Sequence, residues 1–446
     1  MAGRRLVHSI LLFLAVGVAL ALGVYLRLKV TPHYTGIDPR AEIDPGKRYT
    51  LTLWDFERPW PDDAGGYRAA LEKALAGFER RFPNAAVKVE LLPWGEGDER
   101  VAAALKQGTP PDVLSSGPVF RSDWGPLLIP CGPYLAPEEL EEYMEVALRG
   151  ASKGGEFIAW PRWLEPALWA GNGELLAAAG VPVAEIQAEG WSWETFARAA
   201  GEVHKLAGEP YLFTSFDLFT LWQEVGRGGV TPELGKTSPP LAPERVRRAA
   251  ERTAAFWEQA AVPRSLGKGD YAGLEDFFTG RAAVFGPVKP WFLRATYERT
   301  KRVERGSLEA GAAPPFAVVL LPPAGLGGRE GVPVAWENLY VFRQRRYQGD
   351  DHTRLAMELA RHLSRTSAEL AAELDLVPAY RPAQLTWLSA WKMGQGEVVL
   401  RWLERGVPAP FPAEVAEARS RLEPLLKKFW AGELSAADLA DRAQAK

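Results

Sequence analysis

The sequence predicts an α/β protein with two domains. Its N-terminal third alternates strand and helix patterns in the order β-α-β-α-β, which is typical of a parallel or mixed sheet covered by helices on both faces. The chain has 446 residues and is therefore too long for one ordinary core. Hydrophobic residues make up 47% of the chain, so a substantial core can form.

Each element of this first unit has its own pattern. Residues 49–54 alternate between apolar and polar side chains, as a half-buried strand does. Apolar residues then recur at helical spacing over 67–81. A second strand is predicted at 87–91, a second helix over 101–107 and a third strand at 111–114. Ligands of such sheets collect beyond the carboxyl ends of the strands, so the residues that follow these strands are the first candidates for a site.

The remaining elements are shorter and mixed in order. Strands are predicted at 157–160, 282–285, 316–321 and 339–342, and helices over 174–179, 193–206, 243–259, 274–278, 352–374 and from residue 413 onward. No exact repeat and no low-complexity tract interrupts them.

Composition excludes several classes of function. The net charge is -3 and both signs are spread along the chain, so no basic stripe indicates nucleic acid. A single cysteine, Cys131, rules out a disulfide within the chain and a multi-cysteine metal site. The five histidines form no paired ligand motif. We therefore expect no metal and no cofactor.

An uncharged apolar run lies between Arg5 and Arg27, apart from His8 if that residue is protonated. A helix of this length spans the roughly 30 Å hydrocarbon core of a bilayer. Residues 1–30 are therefore predicted to be a membrane anchor or, alternatively, a signal peptide cleaved near residues 19–21. Residues 31–47 are predicted to be a linker. The folded part is expected outside the cytoplasm, in the periplasm or at the cell exterior, and is secreted if the signal is cleaved.

Local motifs recur in an order that resembles one family. Residues 108–113 are similar to a glycine-x-proline-aspartate-valine element, residues 154–161 to a glycine-rich strand, and residues 278–287 to a helix-glycine-basic-alanine-alanine-strand element. From residue 49 to the end, the chain resembles the bacterial extracellular solute-binding proteins (family 1, maltose- or sugar-binding type) of ABC importers.

The resemblance implies a two-lobed fold of the periplasmic-binding-protein type II. It implies a hinge with crossings near Glu165, Gly331 and Leu376. The implied lobes are residues 48–166 with 332–375, and residues 167–331 with 376–446. It also implies a protein that is not an enzyme, binds a small polar solute between its lobes and presents it to ABC permease subunits.

A sugar offers hydroxyl groups and apolar C–H faces, so its site needs flat aromatic surfaces beside charged hydrogen-bond partners. The candidate polar partners are Asp55, Glu57, Ser116, Glu165 and Arg381. The candidate aromatic partners are Trp163, Phe216, Trp222, Trp291, Trp336 and Tyr380. The alternatives are loop capping for Asp55 and Ser116, binding of helix-end carbonyls for Arg381, and core packing for each aromatic residue.

Two other functions are compatible with the sequence. The first is a membrane-anchored sensory or scaffold domain of the same fold, which signals without transport. The second is a carbohydrate-active enzyme with Glu165 as the acid and Asp55 as the nucleophile. That chemistry requires carboxyl groups about 5–5.5 Å apart for retention, or roughly 6.5–9.5 Å apart for inversion.

Overall fold

A computed structural model describes residues 36–58, 66–117, 124, 127–225, 243–263, 266, 272–309, 311–325, 331–343, 346–410 and 412–444. The predicted anchor or signal segment, residues 1–30, lies outside these ranges. Within them, no helix combines the length and the apolar character that crossing a membrane requires.

The first lobe begins with the predicted β-α-β-α-β order, which is confirmed. Strand β1 (Tyr49–Phe56) leads through helix α1 (Gly66–Arg81) to β2 (Ala85–Leu92), and helix α2 (Gly97–Gln107) leads to β3 (Val113–Ser116). Both β2 and β3 pair with β1 in parallel register. The carboxyl ends of these three strands therefore lie at one edge of the sheet.

The chain then builds the middle of the first sheet and passes to a second one. The next elements are β4 (Leu128–Ile129), α3 (Pro137–Glu141), α4 (Glu145–Gly150), β5 (Ser152–Lys153), β6 (Glu156–Phe157), β7 (Trp160–Pro166) and β8 (Leu168–Asn172). Strand β7 belongs to the first sheet and β8 to the second, so the first crossing lies between Pro166 and Leu168.

The second lobe surrounds a four-stranded sheet of order β11-β8-β10-β9. Its further elements are α5 (Gly173–Ala178), α6 (Val183–Glu189), α7 (Trp193–His204), β9 (Tyr211–Thr214), α8 (Leu218–Val225), α9 (Pro243–Glu258), α10 (Ala272–Phe278), β10 (Ala282–Val288), α11 (Trp291–Glu304) and β11 (Val318–Leu321).

The chain returns to the first sheet and ends on the second lobe. The remaining elements are β12 (Pro333–Phe342), α12 (Asp350–Thr366), α13 (Ala368–Glu373), β13 (Val377–Pro378), α14 (Gln384–Ala390), α15 (Gly396–Glu404), β14 (Val407–Pro408), α16 (Pro412–Trp430) and α17 (Ala436–Gln444). The first sheet has the order β13-β7-β12-β3-β1-β2, with β14 and β4 also paired to β12. The expected two-lobed α/β fold is confirmed.

The two strands that follow the crossing predicted near Leu376 belong to the first sheet. Val377 pairs with Leu164 and Val407 pairs with Pro333, so β13 and β14 belong to the first sheet. The chain joins the core of the second lobe only with α16 and α17. Strands of two residues, each ending in proline, carry no alternation that a sequence pattern can reveal.

The helix expected over 352–374 is two helices, α12 and α13, which meet at Ser367. The Ser367 hydroxyl donates to the carbonyl of Leu363 at 2.5 Å. A short hydroxyl side chain that binds the backbone four residues back competes with the helical ladder and bends the helix.

Two large hydrophobic clusters and a smaller third one, which includes Phe56 and Tyr340 of the first lobe, stabilise the lobes. Tyr67, Leu71 and Phe78 bury one face of α1 against the first sheet, as the helical spacing predicts. The same cluster includes Leu164 and Leu168 on either side of the first crossing, so apolar packing is continuous through it. The second cluster fills the second lobe.

The described part of the predicted linker, residues 36–47, has no helix or strand but lies against the first lobe. The backbone N–H of Asp38 donates to Asp350 at 3.1 Å, and Arg354 donates to the carbonyl of Pro39 at 3.0 Å. Lys47 pairs with Asp351 at 2.7 Å. These contacts attach the segment to the start of α12, at the opposite end of the sheet from the carboxyl ends of β1 to β3.

We expect Gly331→Ala to lower the free energy of unfolding by more than about 2 kcal/mol. A Cβ at this position would lie 1.4 Å from the carbonyl oxygen of Arg405, and neither backbone can move without disturbing the pairing of β14 with β12. Urea denaturation measures the change. Gly201→Ala is the matched control, because a Cβ there meets nothing within 4 Å in helix α7. We expect it to stabilise by about 0.5–1 kcal/mol, and equal effects of the two substitutions would refute the explanation.

Candidate functional site

The carboxyl ends of strands from both sheets face each other at the first crossing. Both β3 and β7 run antiparallel to β12, so β7 ends at the same edge of the first sheet as β1 and β3. In the second sheet, Val288 at the end of β10 pairs with Leu168, the first residue after the crossing. The residues that follow β1, β2, β9 and β10 are therefore directed toward the space between the lobes.

A buried charge cluster, formed by Asp55, Tyr67, Ser115, Arg162 and Glu337, lies under this edge of the first sheet. Arg162 pairs with Asp55 at 2.7 Å, and neither side chain is exposed. Arg162 also donates to Ser115 Oγ at 2.5 Å, and that hydroxyl donates to Glu337 Oε1 at 2.7 Å. The hydroxyl of Tyr67 donates to Asp55 Oδ2 at 2.5 Å.

A β-bulge brings Arg162 into the cluster. Asn338 pairs with Pro161 and Glu337 pairs with Trp163, so Arg162 is the extra residue of β7. A bulge places two residues of one strand opposite a single residue of its partner and redirects a side chain. Arg162 and Trp163 are therefore both held opposite Glu337.

The cluster sets the protonation of its members. Burial raises the pKa of Tyr67 and the Asp55 carboxylate raises it further, so its hydroxyl stays protonated as a donor. Burial by itself lowers the pKa of Arg162, but Tyr67, Asp55 and Glu337 outweigh it and raise the pKa. The guanidinium thus remains charged although it has no contact with water.

A rim formed by Glu57, Arg58 and Trp94 covers the cluster. Arg58 pairs with Glu337, and its guanidinium lies 5.0 Å from the ring centre of Trp163 and 6.0 Å from that of Trp94. The indole of Trp94 stacks on Phe56 at 4.9 Å, donates to the carbonyl of Glu57 and is 63% exposed. The Trp94 indole is therefore held by Phe56 and by the Glu57 carbonyl, while one of its faces is open and available to a ligand.

Burial lowers the pKa of Arg58, but the Glu337 and Asp55 carboxylates outweigh this effect and raise the pKa. Arg58 is therefore a fixed cation at the rim. Its pairing with Glu337 connects it to the charge cluster beneath.

The opposite wall follows β9 and β10 in the second lobe. Lys289, one residue beyond β10, pairs with Glu165 of β7 at 2.5 Å and so connects the two lobes across the crossing. Phe216, after β9, packs edge-on against Phe285 at 4.6 Å. Trp291 begins α11 and is 43% exposed.

Five of the predicted site residues thus lie at the facing edges: Glu57, Trp163, Glu165, Phe216 and Trp291. Trp163 is buried beneath Arg58, with Arg162 at 3.6 Å from its ring centre. It supports the rim, whereas the other four have exposed or partly exposed side chains.

Four other predicted positions are buried where they cannot contact a solute in this structure. Asp55 is paired with Arg162 inside the charge cluster. Ser116 is 4% exposed, and its side chain lies on the face of β3 opposite to that of Ser115. Trp222 lies in the core of the second lobe, and Trp336 packs against Gly150 on the face of β12 opposite to Glu337.

Tyr380 and Arg381 lie at the far edge of the first sheet. Strand β13 runs antiparallel to β7, so residues that follow it approach the start of β7. Tyr380 packs on Tyr143 at 5.4 Å, and Arg381 binds Glu404 and the carbonyl of Tyr143. The Arg381 side chain is therefore held mainly by its ion pair with Glu404 and, in addition, by one backbone carbonyl.

Arg58, Trp94, Arg162, Lys289 and Glu337 are site residues that the sequence analysis did not select. Arg58, Trp94 and Lys289 each lie within two residues of the carboxyl end of a strand, and this position is the signal that could have identified them. Arg162 is the single charge within an otherwise apolar run, which signals a buried pair. Glu337 has no signal beyond its place in an alternating strand.

The arrangement is a set of fixed charges and aromatic faces. Within the described ranges, no group of three His, Cys, Asp or Glu side chains could hold a metal ion. Burial and pairing with Arg162 also remove Asp55 from the role of nucleophile opposite Glu165.

The chain belongs to the family of bacterial extracellular solute-binding proteins. It matches this family over residues 61–303, just over half of its 446 residues. The family resemblance drawn from the sequence is thereby confirmed. No curated protein matches the chain in sequence.

Solved structures of similar fold cover nearly the whole chain. The sugar-binding protein MalE from Xanthomonas citri is 17% identical with a TM-score of 0.65, over 89% of this chain and 95% of that one. UspC from M. tuberculosis is 16% identical with a TM-score of 0.65, over 89% and 98%. The cyclic alpha-maltosyl-1,6-maltose binding protein from Arthrobacter globiformis is 15% identical with a TM-score of 0.64, over 89% and 97%. At these identities the likeness shows the fold.

We expect Arg162→Met to lower the free energy of unfolding by about 3–5 kcal/mol, because it leaves Asp55 buried without its cation. Denaturant unfolding followed by tryptophan fluorescence measures this loss. Arg149→Met is the control: Arg149 pairs with Glu145 one helical turn away in a solvent-exposed position, where such a pair contributes about 0.5 kcal/mol or less. A loss at Arg162 no larger than that at Arg149 would show that the cluster does not stabilise the lobe.

Proposed function

We propose that this protein is the substrate-binding component of an ABC importer, which binds a carbohydrate or related polar solute between its lobes and presents it to the permease. One observation carries the proposal: the open indole of Trp94 lies beside the Arg58–Glu337 pair at strand ends that face the Lys289–Glu165 pair. Aromatic faces and oriented charged groups are what a sugar requires.

The charged groups of the site are already held in place before a solute arrives. Arg58 is fixed by Glu337 and two indoles, and Lys289 is fixed by Glu165. A group that is held in its bound conformation loses little entropy on binding. Each charged hydrogen bond to a hydroxyl contributes about 1.5–3 kcal/mol.

The comparisons support a sugar as the solute. The Xanthomonas citri protein is described as sugar-binding, and the Arthrobacter globiformis protein is described as binding a cyclic maltosyl-maltose. Both share the two-lobed fold of this chain. The family name places its members outside the cell, which agrees with export by a segment within residues 1–30 as a signal or membrane anchor.

The protein acts by binding and release, not by turnover. A solute that contacts both rims favours the closed arrangement of the lobes, because only that arrangement makes both sets of contacts. The closed form is then the state that a permease distinguishes from the empty one.

We expect at least one neutral saccharide to raise the melting temperature of the protein, because a ligand that binds only the folded state stabilises it by mass action. Trp94→Ala and Glu165→Gln should each weaken the apparent affinity by roughly tenfold or more, which corresponds to about 1.4 kcal/mol. A thermal-shift screen over mono- and oligosaccharides, followed by titration of each variant, measures both effects.

Leu385→Ala is the control for this screen. Leu385 is 75% exposed on α14 and lies outside the facing edges, so its removal should leave affinity within about twofold. If Trp94→Ala and Glu165→Gln bind the saccharide as well as Leu385→Ala does, the site lies elsewhere.

We expect the saccharide identified in this way to reduce the radius of gyration in solution. Small-angle X-ray scattering compares the empty protein, the protein with the bound saccharide and the protein with an inactive saccharide of the same size. Saturating binding without compaction would contradict closure of the lobes.

A further inference from the structure

A second cavity, of about 770 Å³, lies between helix α11 and the segment that follows α14. Its second-lobe wall includes Glu174 and six residues of α11 between Leu293 and Thr300, and its other wall includes Glu373 and Lys392. Strand β8 starts at the crossing and ends at Asn172, just before Glu174. The cavity therefore extends to the end of the second sheet that is remote from Glu165 and the facing edges.

The walls of this cavity are fixed by specific contacts between the lobes. Arg294 of α11 pairs with Asp375 at 2.8 Å and donates to the carbonyl of Ala372 at 3.1 Å. The side chain of Gln395 accepts from the N–H of Leu320 at 2.7 Å and donates to the carbonyl of Val318 at 3.0 Å. These two hydrogen bonds occupy the edge of β11. These contacts hold both walls of the cavity in place, so it is not a gap between loosely packed helices.

An aromatic face and apolar side chains line part of the cavity. Tyr297 is 49% exposed although it is a large hydrophobic residue on a helix. Leu293, Phe316 and Met393 add apolar surface beside it. An exposed ring in a concave surface of this volume is typical of a small-molecule site.

Apart from Arg294, the charged groups that line the cavity have no partner among the described residues. Glu174, Glu298, Glu373 and Lys392 are exposed, and none of them has a side-chain hydrogen bond or an ion pair with any residue that the structure describes. The charged groups at the facing edges are paired, as Glu165 and Glu337 show. Free carboxylates and an ammonium group can instead accept from and donate to the hydroxyls of a ligand.

We propose that this cavity is a second binding site, for a neutral saccharide of one to three rings. The ring of Tyr297 provides the flat face, and the four free charged groups provide hydrogen-bond partners around it. Neither the cavity nor its lining residues belong to the facing edges, so this proposal does not depend on the function proposed above. The described carboxylates do not form a metal-binding group, so a metal ion is not the ligand.

The test uses the full chain with Ser389→Cys, labelled with bimane, and Trp94→Ala to weaken the interlobe site. Ser389 is exposed and adjoins the lining residue Ala390, whereas the single native thiol, Cys131, is buried. Glucose, maltose, trehalose and maltotriose are titrated, with spermidine as a cationic probe. We expect a saturable change in emission with at least one saccharide. Tyr297→Ala should weaken that response at least tenfold, and Tyr297→Phe, which keeps the ring, should change it less than threefold.

Three outcomes would overturn the second site. They are no saturable response to any saccharide, a response that Tyr297→Ala leaves unchanged, and a response to spermidine alone. Failure of the proposed second site can be distinguished from failure of the interlobe site. Tyr297→Ala in an otherwise unchanged chain reports the interlobe site alone in the thermal-shift screen, so a saccharide-induced shift that persists in this variant belongs to the interlobe site.

Discussion

The ion pair between Arg162 and Asp55 is the interaction on which the first lobe and its half of the site depend. Both side chains are fully buried and lie 2.7 Å apart, at the edge of the sheet where ligands of α/β proteins bind. Removing a charge from water costs several kcal/mol, and only good geometry with further hydrogen bonds offsets this cost. Ser115, Tyr67 and Glu337 supply those bonds.

Glu337 connects the buried charge cluster to the partly exposed rim. One carboxylate oxygen accepts from Ser115 inside the cluster, and the other pairs with Arg58 at the rim. Arg58 in turn lies over Trp163 and beside Trp94. The orientation of groups at the rim therefore follows from the packing and hydrogen bonding of groups that no solute reaches. Such a supporting layer is what holds a binding site in a defined geometry.

The two lobes meet in different ways on the two sides of the crossing. At the facing edges they are joined by Glu165 and Lys289, a pair of partly exposed side chains. On the remote side they are joined by Arg294 with Asp375, of which the acid is buried. Partly exposed pairs contribute little to stability, whereas a more buried pair is harder to break. The geometry thus favours rearrangement at the facing edges.

The sequence by itself determined the α/β class, the opening β-α-β-α-β order and the family, because these depend on local periodicity and on motifs that survive at low identity. It also selected Glu57 and Trp291, which follow predicted strands, and Glu165 and Phe216, which lie beyond the predicted strands; all four lie at the facing edges. It did not determine that Trp222, Trp336 and Asp55 are buried, because an indole or a carboxylate looks the same in sequence in a core and at a surface. Only the tertiary structure decided that Arg162, the extra residue of a bulge, pairs with an aspartate from a strand 107 positions earlier in the chain. Such pairings depend on strand order and register, which are set by packing between segments far apart in sequence.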